Sequence, residues 1–309
     1  MDLSVTLKGQ NHDLTLKNPV LTASGTFGYG LEFASYGDLA SLGGLVTKGL
    51  SLTPRPGNPT PRIVETTAGM LNAVGLQNDG VEDFCVRKLP HLPWAETAVI
   101  VNIYAASTEE FGELAARLNR EEGVAALEVN VSCPNVRQGG LAFGQDPAMA
   151  AQVTEAVRKA APDKHIMVKL SPNVTDIAQM ARSVEAAGAD SISCINTLLG
   201  MAVDVQTRRP RLANVVGGLS GPAIKPVALR CVWQAARAVK IPIVGVGGIL
   251  TAEDALEFLL AGAQAVQVGT GNFLRPDCAF ALARDLPAAC QRLNIDNLAA
   301  FCGSLELDS

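Results

Sequence analysis

Eight short runs of strand character recur along the chain with helical stretches between them, and this alternation constrains the fold more than any other feature. The runs cover 19–24, 44–49, 97–104, 126–132, 165–171, 191–197, 241–248 and 265–271. Helical patterns fill 108–123, 146–161, 175–188, 251–262 and 276–290, several opening on Asp or Thr and closing at Gly. Repeated β/α units imply a parallel sheet, and eight of them imply a closed (β/α)8 TIM barrel of about 250 residues. The 309 residues leave a surplus. It is expected in an N-terminal β-hairpin (5–7 and 14–16 around Gly9, Gln10 and Asn11) and in long loops on the C-terminal face. An open doubly wound sheet shares the alternation. It would carry G-x-G-x-x-G after its first strand, and Gly25–Gly30 has the wrong spacing. No Pro/Ser/Gly linker divides the chain, so 1–309 is expected to be one domain.

Composition removes several function classes. Hydrophobic residues make up 48% and charged residues 18%, which excludes disorder and supplies a large core. A net charge of −5 offers no basic footprint for nucleic acid and no attraction to an anionic membrane. Cysteines stand at 85, 133, 194, 231, 278, 290 and 302, an odd number with no C-x-x-C pair. That argues against a disulfide scaffold, a zinc site or an iron–sulfur cluster on this chain, and points to reducing cytoplasm. The opening MDLSVTLKGQ leads to the expectation of no signal peptide. No apolar run approaches the ~18 residues that cross a bilayer.

Each run is apolar in its body and changes character at its C-terminal end, the end that a barrel gathers onto its active face. The residues there are Ser24, Thr47–Lys48, Asn102, Asn130 with Cys133, Lys169, Asn196–Thr197, Gly247–Gly248 and Gly269–Thr270. A Lys among apolar neighbours is costly without an anionic partner. Lys48 and Lys169 therefore suggest an anion or an electron-rich ring at the mouth. The three Asn offer paired donors and acceptors for the amide edges of a heterocycle. Any one of these residues reads equally well as a strand-end turn residue; the ring of them reads as a site. The GVGG and VGTG ends of the last two runs let backbone N–H groups approach a phosphate, though simple tight turns would look the same. A phosphate there with a heterocycle at the centre describes flavin mononucleotide (FMN), one per chain.

The loop 130–147 is long, Gly-rich and opens with Ser-Cys-Pro-Asn, the features of a lid at the active face. Cys133 is the one thiol placed in such a loop, where it can act as a general base. Cys194 lies in a strand and Cys231 in a helical pattern, where a small buried apolar residue is the default.

These segments resemble the dihydroorotate dehydrogenases of pyrimidine synthesis over nearly the whole length. The motifs are 18–30, GLVTKGLS (44–51), 61–80, NVSCPN (130–135), VKLSPN (168–173), GGLSGPAIKP (217–226), VGVGGI and VQVGTG. Glu65 to Asn78 is most similar to the NAD-linked class 1B catalytic subunit, in which G-M-L-N-A-x-G-L-Q-N recurs. The fumarate-linked soluble class differs at the position of Gln77, and the membrane-associated class has a serine base. Asp79 stands where Pro is more usual, a departure that touches no chemistry.

The resemblance implies oxidation of (S)-dihydroorotate to orotate, with the C5 proton taken by Cys133 and the C6 hydride by FMN N5. It implies substrate binding by Lys48, Asn72, Ala73, Val74, Gly75, Leu76, Asn130, Asn135, Asn196 and Thr197. It implies flavin binding by Ser24, Lys48, Gly49, Asn102, Asn130, Lys169, Ile195, Gly221, Gly247, Gly248, Gly269 and Thr270, with Lys169 on the N1/C2=O side. Electrons would leave to NAD+ through a partner subunit holding FAD and a [2Fe–2S] cluster, around a homodimer core that makes a heterotetramer. The loop from Gly200 to Gly218, with Arg208, Arg209 and Arg211, would cover the site, touch a partner or be plainly solvated. Three alternatives remain open. One is the catalytic subunit of a dihydropyrimidine dehydrogenase, another a stand-alone fumarate-linked dihydroorotate dehydrogenase. The third is a flavin-free, phosphate-binding barrel in which Cys133 is incidental.

Overall fold

The computed structural model describes residues 2–132 and 143–307. All eight strand-type runs form strands: β1 Val20–Thr22, β2 Gly44–Val46, β3 Ala98–Ile103, β4 Ala126–Asn130, β5 His165–Leu170, β6 Ser191–Cys194, β7 Ile243–Val246 and β8 Ala265–Val268. Each pairs in parallel with its sequence neighbours, and β8 closes onto β1 through Val266 opposite Val20. The (β/α)8 barrel expected from the alternation is therefore the fold.

The runs are apolar at most positions because both strand faces are covered. In β3, Val99, Val101 and Ile103 belong to the outer core with the helices, whereas Ile100 belongs to a separate cluster inside the barrel. That inner cluster also holds Leu21, Val46, Ala126, Met167, Val244 and Ala265. The hairpin Val5–Leu7/Leu14–Leu16 forms as expected and adds Leu7, Leu14 and Leu16 to the same cluster, so it stoppers the N-terminal end. With a side-chain period of two, the inward residues of β4 are Ala126, Glu128 and Asn130, and those of β5 are His165, Met167 and Lys169. In β4 the interior thus passes from Ala126 to Glu128 and Asn130 toward the C-terminal mouth, and in β5 Lys169 occupies that end.

Among the described residues the helices longer than eight residues are α1 Thr108–Asn119, α2 Pro147–Ala160, α3 Ile177–Ala186, α4 Lys225–Ala238, α5 Ala252–Leu260 and α6 Cys278–Arg292. Their starts follow the capping residues legible in the sequence. Asp146 accepts from Ala148 N–H and Met149 N–H, with Pro147 at the first helical position; Asp176 accepts from Ala178 N–H and Gln179 N–H. Thr251 and Asp254 form a reciprocal capping box. The alternation alone did not anticipate α4, which begins at Lys225-Pro226 with no side-chain cap.

One unforeseen element shapes the site. Strands 198–201, 216–220, 69–72 and 63–66 form, in that order, a four-stranded antiparallel sheet over the mouth. The stretch Gly200–Gly218 is thus not plain loop. Its ends are strands of this sheet, and the exposed Arg208, Arg209 and Arg211 lie in and beside a short outer ribbon. Among the described residues no helix is long and apolar enough to cross a membrane.

Candidate active site

A cavity of about 510 Å3 opens between the C-terminal strand ends and the antiparallel sheet. From the barrel it is lined by Ser24, Lys48, Gly49, Asn130, Lys169 and Ile195, with Asn196, Thr197, Gly247, Gly248, Gly269 and Thr270. The sheet and its connections add Asn72, Ala73, Val74, Gly75, Leu76 and Gly221. Residues separated by as many as 246 positions thus meet at one mouth, because a closed parallel barrel brings every strand end to one face. Of the remaining site candidates, Asn102 is fully buried and is not part of the lining. Cys133 and Asn135 lie outside the described residues. Ser132 before them and Gly144 and Gln145 after them line the cavity.

Asn130 anchors one wall. Its side-chain oxygen accepts from Ser132 N–H at 3.1 Å and from the Asn196 amide at 3.3 Å. The Asn196 oxygen in turn accepts from Thr197 N–H at 2.8 Å. Asn173 donates to the Thr197 carbonyl at 3.1 Å and accepts from Leu199 N–H at 3.0 Å, which ties this wall to the antiparallel sheet. Opposite, Asn72 donates to the Gly218 carbonyl at 3.4 Å. Asn58 donates side chain and backbone to the Ala73 and Val74 carbonyls, each at 2.9 Å. In the segment so held, Gly75 and Leu76 take consecutive left-handed conformations, φ 78° and 58°. That conformation is strained for Leu and persists where surroundings dictate it. The walls thus carry side-chain amides whose positions are fixed by hydrogen bonds to neighbouring backbone and side chains.

The two lysines differ in their surroundings. Lys48 Nζ sits 5.6 Å from the centre of the Tyr29 ring, whose Lys88 contact is at 4.6 Å. Among the described residues no carboxylate lies within 4 Å of Lys48 Nζ, so it remains available to a ligand anion. Lys169 does not need one. Its Nζ lies 3.7 Å from the carboxylate of Glu128, so the anionic partner expected from a ligand is supplied by the chain itself. Glu128 is wholly buried; Asn102 donates to it at 2.6 Å and Gln267 at 2.7 Å.

The far end of the cavity suits a phosphate. Gly248 has φ 74°, and a β-carbon there would stand 2.9 Å from the Gly221 carbonyl oxygen and 2.8 Å from Lys225 Cβ. Only glycine lets these loops approach so closely. Thr270 donates to the Ser220 hydroxyl at 2.8 Å, which joins the barrel rim to the sheet at the same place.

Glu128, Gln267, Ser171, Asn173 and Ser220 also surround the site and were not among the candidates at the strand ends. For Glu128 and Gln267 a signal existed in the period of two, which sets them on the faces of Asn130 and Gly269. The cysteines that the structure describes are free and stand apart from the cavity lining. Cys194 and Cys231 are buried as expected. Burial pushes the thiols up, to about 12 at Cys85 and about 11 at Cys302, so these thiols resist ionisation.

The family model for dihydroorotate dehydrogenase matches residues 6–289. Curated relatives align over nearly their whole length. A protein of Solidesulfovibrio magneticus named dihydroorotate dehydrogenase B (NAD(+)), catalytic subunit, is 64% identical over 307 residues, which is 99% of each chain. A protein of Maridesulfovibrio salexigens with the same name is also 64% identical over 307 residues. One of Geobacter sp., again so named, is 57% identical over 306 residues, 99% of each chain.

Proposed function

The chain belongs to the dihydroorotate dehydrogenase family, and from that premise we propose that it is the catalytic subunit of an NAD-linked enzyme oxidising (S)-dihydroorotate to orotate in de novo pyrimidine synthesis. The observation that carries this reading is the convergence of Lys48, the 72–76 segment, Asn130, Asn196 and Thr197 on one cavity with glycine loops at its end.

Enzymes of this family are flavin-dependent, and the donor set fits FMN. Gly221, Gly247, Gly248, Gly269 and Thr270 would hold its phosphate through backbone N–H groups. Ser24, Gly49, Asn130, Lys169 and Ile195 would hold the ring. Asn102 contributes from beneath: its side-chain oxygen is buried without a hydrogen-bond partner among the described residues, directed toward Gly49. Bound FMN supplies a two-electron acceptor for hydride.

The substrate loses a proton from C5 and a hydride from C6 as the C5=C6 bond forms. Cys133 is the general base for the C5 proton. Lys48, unpaired with any carboxylate among the described residues, faces the substrate carboxylate. Asn72, Asn130, Asn196, Thr197 and Asn135 hold the amide edges, and the 73–76 backbone closes the cavity beside them. The word "subunit" in the relatives' names supports a partner. We take that partner to carry FAD and a [2Fe–2S] cluster and to join a homodimer core in a heterotetramer in the cytoplasm.

The test is turnover by the purified chain with a dye acceptor, comparing dihydroorotate with dihydrouracil. Preference for dihydroorotate is expected, and preference for dihydrouracil overturns the substrate assignment. Robust fumarate reduction by the chain alone overturns the NAD-linked assignment.

A further inference from the structure

We infer that Glu128 is a positioning residue for the flavin site: it fixes the Lys169 ammonium and offsets its charge, and so sets the ease with which the flavin is reduced. The inference rests on the functional reading above, which puts a flavin over Lys169.

Glu128 is fully buried inside the barrel, immediately above the hydrocarbon layer of Ile100, Ala126 and Met167. An ionised carboxylate is costly in such a place unless donors surround it. Three strands supply them. Asn102, on adjacent β3, donates to one oxygen at 2.6 Å; Gln267, on β8 across the barrel, donates to the other at 2.7 Å. Lys169 Nζ, on the other adjacent strand, lies 3.7 Å away. A hydrophobic residue of similar volume would fill this position without the electrostatic cost. The charge therefore serves something besides packing, and among the described residues the one group it meets that also faces the cavity is Lys169.

Two consequences follow for a ring in that cavity. The Lys169 side chain, only 6% exposed, is held by an anion below it rather than wandering toward solvent. The cation is also counterbalanced, so the ring feels a dipole with its positive end toward it rather than a bare charge. Reduction adds negative charge to a flavin. Removing the Glu128 charge leaves Lys169 unopposed and favours the reduced form. Removing the Lys169 charge leaves Glu128 unopposed and disfavours it. A residue that only filled space would produce no such pair of opposite shifts.

Glu128→Gln is accommodated locally. A glutamine oxygen still accepts from Asn102. Its amide N–H group meets Gln267, whose own oxygen has no partner among the described residues and is presented by an amide flip. The experiment is an anaerobic dye-equilibrium titration of the flavin in wild type, Glu128→Gln, Lys169→Met and the double variant. Glu128→Gln is expected to raise the reduced-to-oxidised ratio by about tenfold or more at a fixed dye potential, about 30 mV for a two-electron couple. Lys169→Met is expected to lower it comparably, and the double variant to return toward wild type. An unchanged or lowered ratio in flavin-loaded Glu128→Gln overturns the inference. If that variant fails to retain flavin, Lys169→Met against the double variant repeats the test without the cation, and equal ratios there overturn it too. A wild-type chain that takes up no flavin overturns the functional reading itself.

Discussion

Substitution of Gly248 by Ala tests whether the glycine loops at the end of the cavity are built for a close-held ligand. Gly248 has φ 74°, where an L side chain costs about 1–2 kcal/mol. The new methyl would also stand 2.9 Å from the Gly221 oxygen, 2.8 Å from Lys225 Cβ and 3.1 Å from Lys225 N. All three belong to backbone or to the first turn of α4, so they do not yield as a flexible side-chain tip would. Overpacking of this kind adds about 1–3 kcal/mol. The total strain is then about 2–5 kcal/mol, and it divides between two readouts. If the loops hold their spacing, it appears as lost stability. If they part, moving the Gly221 carbonyl away, stability is largely kept, and the ligand must restore the spacing when it binds. Each 1.4 kcal/mol so transferred weakens binding by about tenfold. Urea unfolding of the flavin-free chain and FMN fluorescence titration measure the two shares. Gly112→Ala in α1 is the control. Its new methyl meets only the Ala156 carbonyl at 3.9 Å, so it should stabilise by about 0.5–1 kcal/mol and leave flavin affinity alone. A Gly248→Ala chain with wild-type stability and wild-type FMN affinity would refute the reasoning.

Three further outcomes are expected. Cys133→Ser should retain flavin but lose about 10²–10⁴-fold in turnover at neutral pH, since a hydroxyl is a far weaker base; stopped-flow reduction at the wild-type rate would remove Cys133 from that role. Asn130→Ala should weaken dihydroorotate binding, because it releases both Ser132 and the Asn196 amide, and a KM within twofold of wild type would contradict its part as anchor. The third concerns His165, held by the His12 carbonyl and the Ser191 hydroxyl, where burial pushes the imidazole below its ordinary value. Its folded form resists the proton that the unfolded chain accepts. The stability it contributes is whole above about pH 6.5 and is lost as pH falls below that. Urea midpoints from pH 7.5 to 5 should decline, and His165→Gln should flatten the decline; a wild-type midpoint that rises on acidification would contradict this.

The barrel was legible because each strand is covered on both faces and therefore apolar nearly throughout, a signal that survives in a single sequence. The strand-end polar residues were legible for the same reason, as abrupt departures from that background. Glu128 was hidden inside the background: one charged residue between Leu127 and Val129 leaves the run looking apolar, and only the count by twos links it to Asn130. The antiparallel sheet was hidden by distance. Leu71 pairs with Leu219 across almost half the chain, and neither strand is long or apolar enough to announce a partner. The segment Glu65–Asn78 carried family identity, yet its role as a wall of the cavity depends on that pairing. Lys169 shows a limit of charge reasoning from sequence. The lysine did require an anion, but a neighbouring strand supplied it.

The central claim is that this cavity joins a flavin to dihydroorotate, and one experiment reaches it most directly. The visible spectrum of the purified chain is recorded anaerobically as dihydroorotate is added. A flavin spectrum that bleaches in proportion to added substrate is expected. A flavin spectrum that stays unbleached, or a colourless chain that takes up no FMN, would contradict that claim.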